Sequence, residues 1–128
     1  MKNLQIKRVY EPRARDDGQR VLVDRIWPRG ISKEKLSDAI WLKDIAPTTE
    51  LRKWFDHQPE RWAEFCKRYA DELDRNAAVV SELRTLCTRQ GVTLLYSARD
   101  EEHNQAQALL RYLRASHHYA GKRTSGRP

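Results

Sequence analysis

The chain has 128 residues, enough for one domain that buries roughly two thirds of its unfolded surface without staples. With 25 Lys and Arg against 18 Asp and Glu, the net charge of +7 favours anionic partners such as nucleic acid, phosphorylated metabolites or acidic protein surfaces, and otherwise serves solubility. Cys66 and Cys87 show no Cys-x-x-Cys spacing, which argues against a disulfide framework or a zinc ribbon. The absence of a signal-peptide core and of a bilayer-length apolar run leads us to expect a reduced, cytoplasmic protein with no membrane segment.

Leu4 to Tyr10 alternates well enough for a first strand. Glu11 to Gln19 carries Pro12 and an Asp-Gly turn, so it is loop. It is short for a parallel crossover, so the first two strands are expected to be antiparallel neighbours, or else the first lies elsewhere in the sheet. Val21-Leu22-Val23 is an uninterrupted apolar, β-prone run, the pattern of a strand covered on both faces. Charge begins where the run ends, with Asp24, Arg25 and Arg29 around Trp27-Pro28, closed by Gly30.

Ser32 is placed to cap a short helix or turn, and Trp41 to Ile45 either continues it or is extended. Pro47 ends that segment. Thr48 or Thr49 caps a helix that His57-Gln58-Pro59 breaks. Pro59 opens the clearest helix, running to about Asp74 with Trp62, Phe65, Cys66, Tyr69 and Leu73 on one stripe. Asn76 is the cap of the next, which Gly91 stops. Val92 to Tyr96 is a second buried strand, followed by Ser97, Ala98, Arg99 and Asp100 and then a helix carrying Ala106, Leu109, Leu110 and Leu113. The pattern predicts an α/β fold: a single compact domain over 1–118, with a small, mainly parallel sheet flanked by helices, and a basic disordered tail over 119–128.

In such sheets ligands bind beyond the carboxyl ends of the strands, and both buried strands place an Asp and an Arg there. Arg25, Arg29 and Arg99 are candidate anion ligands, since guanidinium forks suit phosphate and carboxylate. Asp24 and His103 are the candidate acid–base pair. Trp27, Asp100 and Asn104 complete the candidate ligand-binding set on the two loops. The competing reading makes Asp24 and Arg25 a structural ion pair, and Asp100 a helix cap with His103 on the surface. Trp54 and His57 are candidates for an aromatic wall, against a core Trp with a surface His. Arg25 and His103 are expected to face one cleft, with Arg25 contributing little to folding. His117-His118 lacks ligands at metal spacing, so no metal and no cofactor is predicted.

The blocks Asp-Arg-Ile-Trp-Pro-Arg-Gly at 24–30, Trp-Leu-Lys-Asp-Ile-Ala-Pro at 41–47, Leu-Arg-Lys-Trp-Phe-Asp-His at 51–57 and Thr-Leu-Leu-Tyr-Ser-Ala-Arg-Asp-Glu-Glu-His-Asn at 93–104 together resemble the YeaO-like branch of the domain-of-unknown-function family 488. The resemblance implies a compact α/β bacterial cytosolic protein, in a family some of whose members carry a MarR-type regulator label. A longer branch has Arg-x-x-Pro after its central strand and Cys-His-Arg after a later one. Arg25, Pro28 and His103 match, while Glu102 and Asn104 replace the Cys and Arg, which speaks against thiol chemistry.

Three functions follow as expectations. The first is a site for an anionic small molecule, phosphate-bearing and of nucleotide or base type, with enzymatic activity left open. The second is a nucleic-acid-binding or regulatory module using the basic surface and tail, although the strand at Val21 does not suit a winged helix. The third is a plain protein-interaction domain.

Overall fold

The computed structural model describes residues 3–126, with side chains described through residue 115. Four strands, β1 (Leu4–Arg8), β2 (Gln19–Leu22), β3 (Ile40–Trp41) and β4 (Val92–Tyr96), form one sheet in the order β1-β4-β2-β3. Every pairing is parallel, with Leu4 and Gln19 both opposite Val92, and Val21 opposite Ile40. The helices are α1 (Thr49–Phe55), α2 (Trp62–Asp74), α3 (Ala77–Arg89) and α4 (Gln105–Gly126). This is the α/β domain that the sequence pattern predicts. The tail expected over 119–128 falls outside the residues whose side chains are described. Among the described residues no helix is long and apolar enough to cross a membrane.

Alternation along the two central strands divides the core. Val21, Val23, Val92, Leu94 and Tyr96 face a large cluster built with Phe65, Tyr69 and Leu73 of α2, Leu83 of α3 and Leu109 and Leu113 of α4. Leu22 and Leu95 point the other way, to a small cluster with Val9 and Leu36 that Trp27, Ile31 and Ala39 cover. Both central strands are therefore covered on both faces, one by helices and one by the 27–39 loop, which is why their sequences read as unbroken apolar runs.

The antiparallel alternative for the first two strands is not what forms. β1 lies at the sheet edge with β4 between it and β2, and the chain makes its parallel return over residues 9–18. Asp17 fastens that return. Its carboxylate accepts from Lys7 Nζ at 2.8 Å and from the Ala14 amide at 2.9 Å, and its carbonyl accepts from Thr93 Oγ1 at 2.6 Å. Gly18 follows at φ 66°, where a Cβ would lie 2.3 Å from the Gly91 carbonyl oxygen, so only glycine fits the crossing. Further along the same face, Arg20 is almost wholly buried. It donates from Nε and Nη2 to the two Asp38 oxygens at 2.9 and 2.7 Å, and from Nη2 to the Lys35 carbonyl at 2.9 Å.

Local signals account for most of the helix ends. Ser32 Oγ accepts from the Lys35 amide and opens a turn, not a helix. Thr48 is the cap of α1, its hydroxyl accepting from the Leu51 amide and donating to Glu72 of α2. Pro59 begins a short 3-10 turn that leads into α2 at Trp62. Asn76 stands at the start of α3, but its side chain donates to the Asp44 carbonyl instead of capping.

Candidate functional site

Because all four strands are parallel, their carboxyl ends lie on one edge of the sheet, and a cleft of about 830 Å³ opens there. Its lining comes from the loop after β2, the segment before α1, the end of α1, and the loop between β4 and α4. Apolar surface from Phe55, Phe65, Pro28, Pro47 and Ile26 forms much of the wall. A few polar groups sit within it, the usual makeup of a small-molecule site.

Asp24 is the floor. Only 5 % of it is exposed; β2 ends two residues earlier, at Leu22, and Gln105 at the start of α4 meets its side chain. Its Oδ1 accepts from Gln105 Nε2, while Oδ2 has no hydrogen-bond partner. Burial raises its pKa above the ordinary carboxylate value. The Ser97 hydroxyl and amide, Gln105 and the charge of Arg52 oppose the rise without cancelling it. Ser97 approaches the carboxylate but makes no formed bond to Oδ2. A buried carboxylate with an unused acceptor is costly in a folded chain unless something else completes it.

Asp100 and His103 form the second element. The amides of His103 and Glu102 donate to Asp100 Oδ1 at 2.9 Å each, and the His103 ring contributes to the same effect; together they hold the Asp100 carboxyl below its usual pKa. His103 Nδ1 lies 3.0 Å from Asp100 Oδ2 and its ring packs edge-on against Trp62 at 5.3 Å. The imidazole is thereby fixed with Nδ1 toward the carboxylate, leaving Nε2 as the available nitrogen. The helix itself begins later than Asp100. Asn104 is its cap, accepting from the Gln107 amide with Oδ1 and donating to the Asp100 carbonyl with Nδ2. Asp100 instead closes the turn before the helix.

Arg25 and His103 line the same cleft, as expected from aligned strand ends. Arg25 is not in an ion pair with Asp24. Its Nε donates to the Pro47 carbonyl at 3.1 Å and its Nη2 to the Ala46 carbonyl at 3.0 Å, while the Tyr69 hydroxyl donates to the neighbouring Ile45 carbonyl at 2.6 Å. Arg25 thus clamps the segment that leads into α1, and its contribution to folding is larger than its loop position suggests. Charged donors on backbone carbonyls contribute about 1.5–3 kcal/mol each.

Trp27 lines the cleft, with Nε1 donating to the Ile31 carbonyl and its ring edge-on to Trp41 at 5.3 Å. His57 also lines it, in a left-handed turn it shares with Asp56, at φ 54° and 48°. Two successive non-glycine residues in this region store backbone strain. Trp54 is the exception among the candidates. It packs on the core, its ring covered by Arg68 at 4.2 Å and Arg61 at 5.3 Å, and does not border the cleft.

Arg29 and Arg99 stand at the cleft with two cations that strand-end reasoning misses, Arg52 and Lys53. All four are exposed, and among the described residues none of their side chains has a hydrogen-bond or ion-pair partner. Gln105 and Ser97 were missed too. The helical spacing of Arg52 and Lys53 before His57 was the available signal for the former pair; for Gln105 it was adjacency to Asn104. Among the described residues no cluster of three His, Cys, Asp or Glu could hold a metal ion.

A family model described as "Inactive DUF488-N3 subclade" matches residues 3–126. The chain belongs to the DUF488 family. Among its relatives are the uncharacterised proteins Rv3073c of Mycobacterium tuberculosis and Mb3100c of Mycobacterium bovis, each 49 % identical over 110 residues, covering 86 % of this chain and 92 % of theirs. The uncharacterised protein YeaO of Escherichia coli is 43 % identical over 113 residues, covering 88 % of this chain and 98 % of its own. The YeaO-like branch of DUF488, expected from the four sequence blocks, is the one found. No solved structure matches the chain.

Proposed function

We propose that the cleft binds a small anionic ligand of nucleotide type and holds it without chemical turnover. The observation that carries this reading is Asp24, a buried carboxylate whose Oδ2 has no partner, beneath a mouth bearing four unpartnered cations. A ligand with hydrogen-bond donors at one end and an anion at the other satisfies both ends at once. The proline and phenylalanine surfaces between them suit a flat ring. The description of the matching family as inactive favours binding over catalysis. In this reading Asp24 and His103, the candidate acid–base pair, orient a ligand instead of moving its protons.

The test is a melting-temperature series with inorganic phosphate, adenosine and adenosine monophosphate at millimolar concentration. Ligand present at about 100 times its Kd stabilises by about 2.7 kcal/mol, so the monophosphate is expected to raise the melting temperature more than either fragment. No shift with the monophosphate, or an equal shift with phosphate alone, contradicts the reading. Should an oligonucleotide bind with steep salt dependence while the monophosphate has no effect, the basic-surface alternative gains instead.

A further inference from the structure

We infer that Asp24 and Gln105 select nucleotides whose base carries an exocyclic amino group, with that group donating to Asp24 Oδ2; the inference rests on the nucleotide reading above. It starts from the direction of one hydrogen bond. Gln105 Nε2 donates to Asp24 Oδ1, which fixes the amide and turns its Oε1 away from the carboxylate. Oε1 has no partner among the described residues, and Gln105 lines the cleft beside Asp24. The floor therefore carries two acceptors without a partner among the described residues, Asp24 Oδ2 and Gln105 Oε1.

A floor of acceptors discriminates by chemistry more than by size. Cytosine differs from uracil, and adenine from hypoxanthine, by an amino group in place of a carbonyl oxygen. The amino group supplies an N–H donor to an acceptor that has no partner in the free protein. A carbonyl at the same place would set lone pairs against lone pairs and leave both buried groups unpaired. Sites that hydrogen-bond one substituent reject the analogue lacking it strongly, because the penalty falls on the site's own polar groups.

The same geometry predicts how the preference is inverted. In Asp24→Asn the introduced amide oxygen must stay on Gln105 Nε2, which needs an acceptor, so the amide NH2 takes the place of Oδ2. The floor then displays a donor, which suits a carbonyl base.

The experiment is calorimetric titration of full-length protein with two pairs, cytidine against uridine monophosphate and adenosine against inosine monophosphate. Wild type is expected to bind the amino member of each pair at least about tenfold more tightly, and Asp24→Asn is expected to reverse the order. Equal affinities within both pairs in wild type overturn the inference and leave the nucleotide reading standing. Binding of none of the four overturns that reading and this inference with it. A folded Asp24→Asn protein that keeps the wild-type order also overturns the inference, because selection must then arise elsewhere. The wild-type pairs decide the matter even if the variant does not fold.

Discussion

Replacing Asp38 with alanine is expected to destabilise the fold by about 3 kcal/mol, the low end of what breaking a buried ion pair costs. Arg20 has only 4 % of its side chain exposed and meets Asp38 through two donors. Without the carboxylate a guanidinium is left in the sheet face with the Lys35 carbonyl as its remaining acceptor. The low end applies because Asp38 is one-third open to water, which partly fills the space. Urea denaturation measures the loss, and one below about 1 kcal/mol, the contribution of a single neutral hydrogen bond, contradicts the account. Adding Arg20→Met to the alanine variant is expected to restore much of the stability, since apolar replacement of a buried pair is often neutral. The pair also sets an acid limit. Hydrogen bonds from Arg20 hold the Asp38 carboxyl at about 2, so its contribution is complete above the ordinary Asp value of about 3.9. It is lost as pH falls from there through about 2.

Asp24→Asn is expected to do the opposite to stability while removing binding of adenosine monophosphate. Ionised Asp24 is buried with an unused oxygen, and an unsatisfied buried group costs about 1–3 kcal/mol. The amide keeps the bond to Gln105 and carries no charge, so the variant should gain stability at neutral pH through the charge alone, its NH2 still lacking a partner in the free protein. The sign follows from the raised folded-state pKa. Native protein holds this proton more tightly than unfolded chain, so wild type loses stability as pH rises from the unfolded value of about 3.9 through the folded one. The variant's advantage should therefore vanish below about pH 3.9 and be complete above the folded pKa. A gain in stability coupled to a loss of binding is the signature of a residue kept for a ligand, not for the fold. Destabilisation at neutral pH would mark Asp24 as a structural residue.

Much of this arrangement is legible in the sequence. The apolar runs at Val21–Val23 and Val92–Tyr96 stop abruptly at charged residues, and a parallel sheet turns that change into a shared edge. Asp24, Arg25, Arg99, Asp100 and His103 consequently come together although the chain separates them. The stripe from Trp62 to Leu73 and the break at His57-Gln58-Pro59 were equally readable, since both are local.

What was not readable depends on long-range partners. β3 has only Ile40 and Trp41, too short for any period, and it exists because β2 offers it a ladder. The place of β1 at the edge is decided by the strap through Asp17, whose partners Lys7 and Thr93 lie on two different strands. A guanidinium near a strand end looks the same in sequence whether it awaits an anion or, like Arg25, clamps the carbonyls of Ala46 and Pro47. Trp54 and Trp62 likewise differ in what folds against them: Arg61 and Arg68 cover the first, whereas the second lies under Arg111 and also meets His103.

The measurement closest to the central claim is a carboxyl-carbon NMR titration of Asp24, assigned through Asp24→Asn, with and without adenosine monophosphate. The account predicts a free-protein pKa above the ordinary value of about 3.9. It predicts a lower value with the nucleotide bound, because a donor on Oδ2 favours the charged form. An Asp24 pKa at or below the ordinary value, unchanged by the nucleotide, would contradict it.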